Sequence, residues 1–355
     1  MKFRPTVIVV HRWLGVAGLV FWLLQAVSGI VSVFHWEIDD VTVSGTHHPT
    51  DFAAIARRAA DESAPGSGRQ VDSIWSSAGF ADRFDINITA PEPEGGEVLR
   101  VDGAGNVLRR RLDREKFRNG AFIDNLVLLH QSLLAGDTGR FIVGVSGLLL
   151  LSNLLMGLTV AWPRGGRWKT VLRPSWRGSL VARLYSWHRA FGLMVIVPAI
   201  LLVSAGILLA FDDGVARVLH VSRPVVPKQV QGAGEPSIGM VQAIRIALRR
   251  FPAASVSGIR FPSGGDGTWT IALKQTSERQ RAFGKTRVFI ASDGRIVAAY
   301  DATSTSALHR FIDLVFPFHT GEMAGLAGRL VVLATGLWLA TVMVLGASLW
   351  WKRRA

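Results

Sequence analysis

Four long apolar stretches divide the chain, at about residues 7–33, 141–162, 191–211 and 326–351. Each is long enough to cross the hydrocarbon core of a bilayer, which takes about 20 residues of helix. Two long mixed segments and one short basic segment separate the apolar stretches. The pattern predicts an α-helical integral membrane protein with four transmembrane helices.

The first apolar stretch follows Lys2 and Arg4, as the core of a secretory signal would. It is too long for a signal and has no small-residue cleavage pattern, so we expect a retained helix. The chain is therefore divided into transmembrane helix 1 (1–36), outward domain 1 (37–138), transmembrane helix 2 (139–163), a basic loop (164–186), transmembrane helix 3 (187–211), outward domain 2 (212–324), transmembrane helix 4 (325–351) and a tail (352–355).

The two long mixed segments each carry an Ala- and Arg-rich helical run, followed by alternating apolar residues and a Gly-containing turn. Alternation with a period of two residues is typical of strands, and a turn between two apolar strands predicts a hairpin. The segments are thus predicted to form two separate α+β domains. The helical runs are 52–61 and 238–250, the alternating runs are 84–89 and 269–274, and the hairpins are 98–108 and 287–297.

Residues 122–164 recur at 311–353 without a gap, with fifteen of forty-three positions identical. At this constant shift of 189, His130 corresponds to His319. A second match, at a shift of 177, relates His11 to His188 and Gly29 to Gly206. We interpret these matches as an internal duplication. Two parallel repeats of the same orientation imply a pseudo-two-fold axis along the membrane normal.

The net charge of +14 is concentrated beside the apolar stretches. Thirteen Lys and Arg residues form three groups. One group lies at the start of the first apolar stretch, one between the second and third stretches, and one after the fourth stretch, and no Asp or Glu lies near them. The rest of the chain has 40 − 13 = 27 basic and 26 acidic residues. By the positive-inside rule, both termini and the loop 164–186 are cytoplasmic and the two long segments face outward.

The composition excludes several classes of function. The excess of Lys and Arg marks the cytoplasmic side of the membrane, where these residues face the anionic inner leaflet. No nucleic-acid partner is therefore needed to explain it, and none is expected. The chain has no Cys, which excludes disulfides, iron–sulfur clusters and thiol chemistry. Motifs for nicotinamide, flavin or ATP binding and for metalloprotease or nucleophile-elbow chemistry are absent from the sequence.

Four of the nine histidines follow the repeat, as the pairs His11/His188 and His130/His319. The predicted topology places the first pair at the cytoplasmic ends of helices 1 and 3, and the second at the outer ends of helices 2 and 4. A two-fold axis would bring the members of each pair together. Haem suits such pairs, because its iron takes an imidazole on each face in an apolar slot, with cations near its propionates.

Haem is therefore the predicted cofactor at both pairs, with the four paired histidines as ligands of the iron. The arginines expected to bind propionates are Arg12 and Arg189 at the first pair and Arg140 and Arg329 at the second. The glycines expected to leave room for the flat macrocycle are Gly15, Gly18 and Gly192 at the first pair, and Gly136, Gly139, Gly325 and Gly328 at the second.

Other interpretations of the histidines stay open. A single His at a helix end commonly anchors the helix at the interface, and duplication could preserve such a structural residue twice. His35 and His309 are further candidate ligands for the second haem or for substrate, although neither has a His at the repeat-related position. A zinc site is disfavoured because no carboxylate or thiol accompanies the spans.

The sequence resembles the PepSY-associated transmembrane-helix proteins over almost its whole length. The resemblance rests on the His-Arg-Trp-Leu-Gly motif that begins at His11, its echo at His188, the Gly-x-x-Gly-Arg motifs that end at Arg140 and Arg329, and the outward α+β segments. Some members of that family are inner-membrane reductases of ferric siderophores that carry two b-type haems. The resemblance thus implies PepSY-like periplasmic domains, the bacterial inner membrane and a role in iron uptake.

On this hypothesis the chain is a haem-dependent transmembrane oxidoreductase. Electrons from a cytoplasmic donor or a membrane quinol would reduce a ferric siderophore held between the two periplasmic domains, which would release Fe(II) because it suits hard oxygen chelators less well than Fe(III) does. No side chain is predicted to act as an acid, base or nucleophile. The alternatives are a haem-free permease or accessory protein for siderophore uptake, and a PepSY-type regulator of peptidases.

Overall fold

The computed structural model describes residues 3–43, 45–77, 79–91, 95–112, 121–221, 238–262 and 267–354. Its helices are α1 (Phe3–Ser32), α2 (His35–Val41), α3 (Phe52–Glu62), α4 (Ala121–Ser132), α5 (Gly136–Ala161), α6 (Trp168–Val171), α7 (Leu180–Ala210), α8 (Asp212–Val218), α9 (Met240–Arg250), α10 (Ala307–His319) and α11 (Gly325–Lys352). Short 3₁₀ turns lie at Arg164–Gly166, Ala302–Ser304 and Glu322–Ala324.

Eight strands complete the secondary structure of the described residues. They are β1 (Gln70–Ser76), β2 (Arg83–Thr89), β3 (Gly96–Asp102), β4 (Val107–Leu112), β5 (Ser255–Arg260), β6 (Thr268–Lys274), β7 (Thr286–Ala291) and β8 (Ile296–Tyr300). The chain forms two compact units. A helical unit comprises residues 1–33, 126–218 and 315–355, and a sheet unit comprises residues 34–125 and 219–314.

Four long helices form the helical unit, and by length and composition each could cross a membrane: Arg4–Ser32, Gly136–Ala161, Leu180–Ala210 and Glu322–Lys352. They are arranged in a ring, in which α1 and α7 each pack against both α5 and α11. Large apolar side chains project from all four helices into the surroundings, including Val20, Phe141, Val197 and Leu326. Such an apolar exterior suits lipid and not water. The prediction of four apolar helices is confirmed.

Two helix boundaries differ from those expected. The third long helix begins at Leu180, inside the segment assigned to the loop 164–186, where Ser179 caps it by accepting a hydrogen bond from the backbone N–H of Ala182 at 3.3 Å. The first long helix ends at Ser32, and His35 begins the separate helix α2 of the sheet unit. His35 therefore does not belong to the first transmembrane helix.

The sheet unit is built on one antiparallel sheet with the strand order β4-β3-β2-β1-β5-β6-β7-β8. Helices α3 and α9 pack against each other and cover one face of the sheet. Their buried side chains include Ile55 and Ile244, which join Ile86 of β2 and Ile271 of β6 in a single core. Burial of such aliphatic side chains contributes roughly 1.5–3 kcal/mol each.

The two long segments, each predicted to form an α+β domain, contribute four strands each to one continuous sheet. Strands β1 and β5, one from each long segment, pair directly at the centre of the sheet, with Ile74 opposite Ile259. This pairing satisfies two edges that would otherwise expose unpaired backbone groups. Neither β1 nor β5 was predicted, because polar residues interrupt both strands and Gly258 interrupts β5.

Candidate functional site

The structure brings the four repeat-related histidines together as two pairs within the helical unit. The ring centroids of His11 and His188 are 6.3 Å apart, with 47° between the ring planes. Those of His130 and His319 are 6.2 Å apart, with 26° between the planes. Each pair takes one imidazole from each half of the chain, so neither half contains a complete pair.

Each imidazole is oriented by a hydrogen bond from its Nδ1 atom to a backbone carbonyl of a neighbouring helix. His11 bonds to Asn153 at 3.1 Å and His188 to Val342 at 3.0 Å. His130 bonds to Gln25 and His319 to Leu202, both at 3.0 Å. A carbonyl oxygen only accepts, so Nδ1 carries the proton in all four rings. Nε2 then keeps its lone pair, which is the tautomer that a metal ion requires.

Each imidazole also lies against a glycine of the neighbouring helix. A Cβ atom built on Gly157 would lie 3.0 Å from His11, and one on Gly346 would lie 3.0 Å from His188. The same relation holds at the other pair, where the distances are 2.8 Å from Gly29 to His130 and 3.0 Å from Gly206 to His319. These four glycines let the imidazoles pack directly on a helix backbone. The internal repeat identified these glycines as equivalent pairs, but the sequence alone did not indicate that they contact the histidines.

Most glycines that were expected to make room for a macrocycle instead contact a protein side chain or backbone carbonyl, or allow a helix to begin with a positive φ angle. A Cβ atom on Gly18 would meet the Trp22 ring at 2.7 Å. Gly139 and Gly328 lie against the backbone carbonyls of Ser132 and Gly321, where a side chain does not fit. Gly136 and Gly325 have positive φ angles of 57° and 60° and begin α5 and α11, a conformation that glycine adopts without strain. Gly15 and Gly192 line the cavity described next.

A cavity of about 320 Å³ lies among the long helices at the His11/His188 pair. Its wall is mostly apolar, and the arginines that line it are Arg12, Arg189, Arg353 and Arg354. Arg189 also donates to the carbonyl oxygen of Ala161 at 3.0 and 3.1 Å, and the Arg12 guanidinium lies 5.7 Å from the Trp13 ring centroid. Both arginines proposed for this pair therefore lie at the cavity, and Arg353 and Arg354 add two cations that the sequence did not assign.

The arginines predicted for the other pair have protein partners. Arg140 lies 3.9 Å from Asp212, and both residues belong to the helical unit. Arg329 is buried and donates two hydrogen bonds, of 3.2 and 2.8 Å, to the carbonyl oxygen of Val33 just beyond the end of α1. Arg329 thus caps a helix C-terminus, where a cation complements the exposed carbonyl groups. The assignment of Arg140 and Arg329 to propionate binding stays a prediction.

The two additional candidate ligands, His35 and His309, belong to the sheet unit. The His35 ring packs on Trp36, with 4.9 Å between centroids. The Nε2 atom of His309 is hydrogen-bonded to the hydroxyl of Tyr300 at 2.7 Å and lies 3.8 Å from Asp313. The structure therefore gives His309 a polar role beside strand β8.

The geometry of both pairs fits a metal ion bound between the two rings. An imidazole nitrogen binds a first-row metal ion at about 2 Å, and a ring nitrogen lies about 1.1 Å from the ring centre, so two imidazoles on opposite sides of one ion have centres about 6.2 Å apart. The observed separations are 6.3 and 6.2 Å. Among the described residues no cluster of three or more His, Asp or Glu could hold a bare ion. Haem needs only two such ligands, because the porphyrin supplies the other four.

The fold and the apolar helices define a membrane protein with four candidate spans and one large antiparallel sheet. Residues 8–353 match the family model described as the PepSY-associated TM region. The chain therefore belongs to this family. A search of curated proteins gave no match.

Proposed function

We propose that the protein is a di-haem b-type reductase of the bacterial inner membrane. It would take electrons from a cytoplasmic donor or a membrane quinol and reduce a ferric siderophore on the periplasmic side, which releases Fe(II) for uptake. The observation that supports this most strongly is the separation of 6.3 and 6.2 Å between the paired imidazoles. It is close to the spacing of about 6.2 Å expected for two imidazoles that would hold one iron ion between them.

The protein's part in this function is to hold two flat cofactors in fixed positions. Haem iron, when bound, supplies one-electron redox chemistry that the side chains lack. His11 and His188 would hold one haem, and His130 and His319 would hold the other. Arg12 and Arg189 supply positive charge for the propionates at the first site. The backbone carbonyls that accept the Nδ1 protons fix each ring and strengthen it as a ligand.

The two pairs lie at different depths beside α1 and α7, and His130 and His319 themselves belong to α4 and α10. His11 lies on α1, and the carbonyl that orients His130 belongs to Gln25, fourteen residues further along that helix. With a rise of about 1.5 Å per residue, the separation is about 21 Å along the axis. The same spacing relates His188 to Leu202 on α7. Two cofactor sites so separated support electron transfer across most of a bilayer that is about 30 Å thick.

The positive charge supports a cytoplasmic position for the His11/His188 site. Arg353 and Arg354 at the C-terminus line its cavity together with Arg12 and Arg189. Lys and Arg concentrate on the cytoplasmic side of membrane proteins. The His130/His319 pair would then lie toward the periplasm, and both termini would be cytoplasmic. A ferric siderophore could accept electrons on that periplasmic side, and Fe(II) leaves hard oxygen chelators more readily than Fe(III) does.

The first test is the visible absorption spectrum and the haem content of the protein purified in detergent. We expect a Soret band, b-type α bands after reduction, and two haems per chain. His11→Ala and His130→Ala should each lose one haem, whereas His47→Ala, which changes an exposed ring paired with Asp82, should keep both. Absence of haem from protein produced with ample haem supply would overturn the proposal.

The second test is substrate reduction. Protein reduced with dithionite and freed of excess reductant should be reoxidised by a ferric hydroxamate siderophore, and an Fe(II)-specific chelator should trap one Fe(II) per electron released. His130→Ala should abolish the reaction. Haem that remains reduced in the presence of several classes of ferric chelate would refute the reductase activity while leaving haem binding intact.

A further inference from the structure

The two imidazoles of each pair have unequal surroundings, although their backbone hydrogen bonds match. The shifts of 189 and 177 relate Asn153 to Val342, and Ser28 to Ala205. Asn153 and Ser28 are polar residues beside His11 and His130, whereas Val342 and Ala205 are apolar. In each pair, therefore, only the histidine from the first half of the chain has a polar side chain next to its ring, and the histidine from the second half has an apolar one.

At the first pair, Asn153 contacts His11 through both its backbone and its side chain. The backbone carbonyl accepts the Nδ1 proton, and the amide side chain adjoins the same ring. Asn153 is only 8% exposed and lines the cavity, and its Oδ1 atom has no hydrogen-bond partner among the described residues. A buried amide oxygen without a donor is energetically costly. Val342 offers His188 only a carbonyl group.

At the second pair, the Ser28 hydroxyl oxygen lies 3.3 Å from Nδ1 of His130. The Ser28 hydroxyl donates its proton to the carbonyl oxygen of Leu24 at 2.8 Å. Its oxygen is therefore available to accept from Nδ1–H of His130, which already bonds to Gln25. Ser28 is 1% exposed, so water does not compete for this contact. Ala205 at the equivalent position provides no such acceptor beside His319.

Acceptors at Nδ1–H draw the proton away from the ring and make Nε2 a stronger donor to a metal ion. A stronger donor stabilises the ion with the higher charge, here Fe(III) over Fe(II), and this lowers the reduction potential. Ser28 supplies such an acceptor oxygen to His130, and the Asn153 amide places a further polar group beside His11. Both residues are buried, so the surrounding low dielectric strengthens their effect.

We propose that Asn153 and Ser28 are positioning residues that lower the reduction potentials of the His11/His188 site and the His130/His319 site, respectively. Each acts through one axial histidine and touches no substrate. The inference rests on the proposed haem binding. Its consequence is a stronger reductant, and tightly chelated Fe(III) requires one because hard oxygen ligands favour the ferric state.

The test is redox titration of the purified holoprotein, followed by its absorption spectrum, in the variants Asn153→Val and Ser28→Ala. Each variant introduces the residue that the chain itself has at the equivalent position. In Asn153→Val, the ferrous-to-ferric ratio of the His11/His188 site at a fixed ambient potential should rise about fivefold, an effect of the size of one buried hydrogen bond. Ser28→Ala should likewise raise the ferrous-to-ferric ratio of the His130/His319 site.

The unaltered site in each variant is the internal control, and the His11→Ala and His130→Ala proteins show which component of the titration belongs to which site. A purely structural role would lower haem content or broaden the spectrum without a directed shift in potential. Full haem content with unchanged potentials in both variants would overturn this inference and leave the proposed function intact. Absence of haem from the wild-type protein would instead overturn the proposed function itself.

Adding Val342→Asn to Asn153→Val provides a reciprocal test. It restores a polar side chain on the other face of the same site, beside His188. We expect the potential of that site to fall again, while that of the His130/His319 site stays constant. A further rise in potential would contradict the role assigned to the amide.

Discussion

The Cε1 atom of His11 lies 3.0 Å from the position that a Cβ atom would take on Gly157. Gly157→Ala should therefore push the imidazole away from α5 and weaken its hydrogen bond to Asn153. Overpacking of this kind costs about 1–3 kcal/mol. We expect haem retention at the His11/His188 site to fall by roughly tenfold or more, measured as haem content after dilution into haem-free detergent.

The matched control is Gly214→Ala, because no atom lies within 4 Å of a Cβ built on that helical glycine. Both haems should be retained in this variant. Gly346→Ala, which alters the contact with His188, should reproduce the loss seen with Gly157→Ala. Full retention of haem in both the Gly157 and the Gly346 variants would show that these contacts do not position the axial ligands.

The sheet unit is predicted to depend on a buried ion-pair network around Asp39. This carboxylate is 3% exposed, accepts a hydrogen bond from Arg109 at 2.7 Å and pairs with Arg100, which is also buried. Asp39→Ala would leave two guanidinium groups with less compensating charge. Breaking a buried pair costs about 3–5 kcal/mol, so a clear loss of stability is expected in chemical denaturation of the full chain.

Asp293→Ala serves as the comparison for that variant. Its carboxylate is 63% exposed and lies 3.8 Å from an equally exposed Arg295. A surface pair contributes about 0–1 kcal/mol, so little change is expected. Equal effects of the two substitutions would contradict a structural role for the Asp39 network.

The same network predicts acid sensitivity. Burial alone would raise the pKa of Asp39, but the hydrogen bond from Arg109 and the charge of Arg100 outweigh it and lower the pKa below its ordinary value. A carboxylate with a lowered folded-state pKa stabilises the fold fully above its unfolded pKa of about 4, and loses this contribution as pH falls through the folded-state value. The midpoint temperature of thermal unfolding should therefore fall below about pH 4. The fall should be smaller in Asp39→Asn, which has no carboxylate to protonate at this position.

Orientation in the membrane can be tested with introduced cysteines, because the native chain has none. Ser67 of the sheet unit and Ser175 of the basic segment are both exposed. Because the Lys and Arg excess predicts a cytoplasmic basic segment, an impermeant maleimide added to spheroplasts should label Ser67→Cys at once. Ser175→Cys should react only after permeabilisation. The reverse labelling pattern would contradict the assigned topology.

The sequence predicted those features that depend on patterns within one segment. Long apolar runs predicted the four helices, and the repeat identified the histidines that the structure brings into pairs. Contacts between segments were not predictable in this way. The pairing of β1 with β5 depends on backbone edges, and the roles of Gly157 and Asn153 depend on how α5 packs beside α1. His35 was assigned to the first long helix because only two residues separate the end of α1 from the start of α2.

The pairing of Ile74 with Ile259 at the centre of the sheet also bears on ancestry. A polypeptide equivalent to one half of this chain would carry a single imidazole for each site and an unpaired β1 edge. It could complete both sites by forming a homodimer with an isologous, two-fold interface. Fusion of two such subunits would make this assembly independent of protein concentration. It would also allow the two faces of each site to diverge, as Asn153 and Ser28 have done relative to Val342 and Ala205.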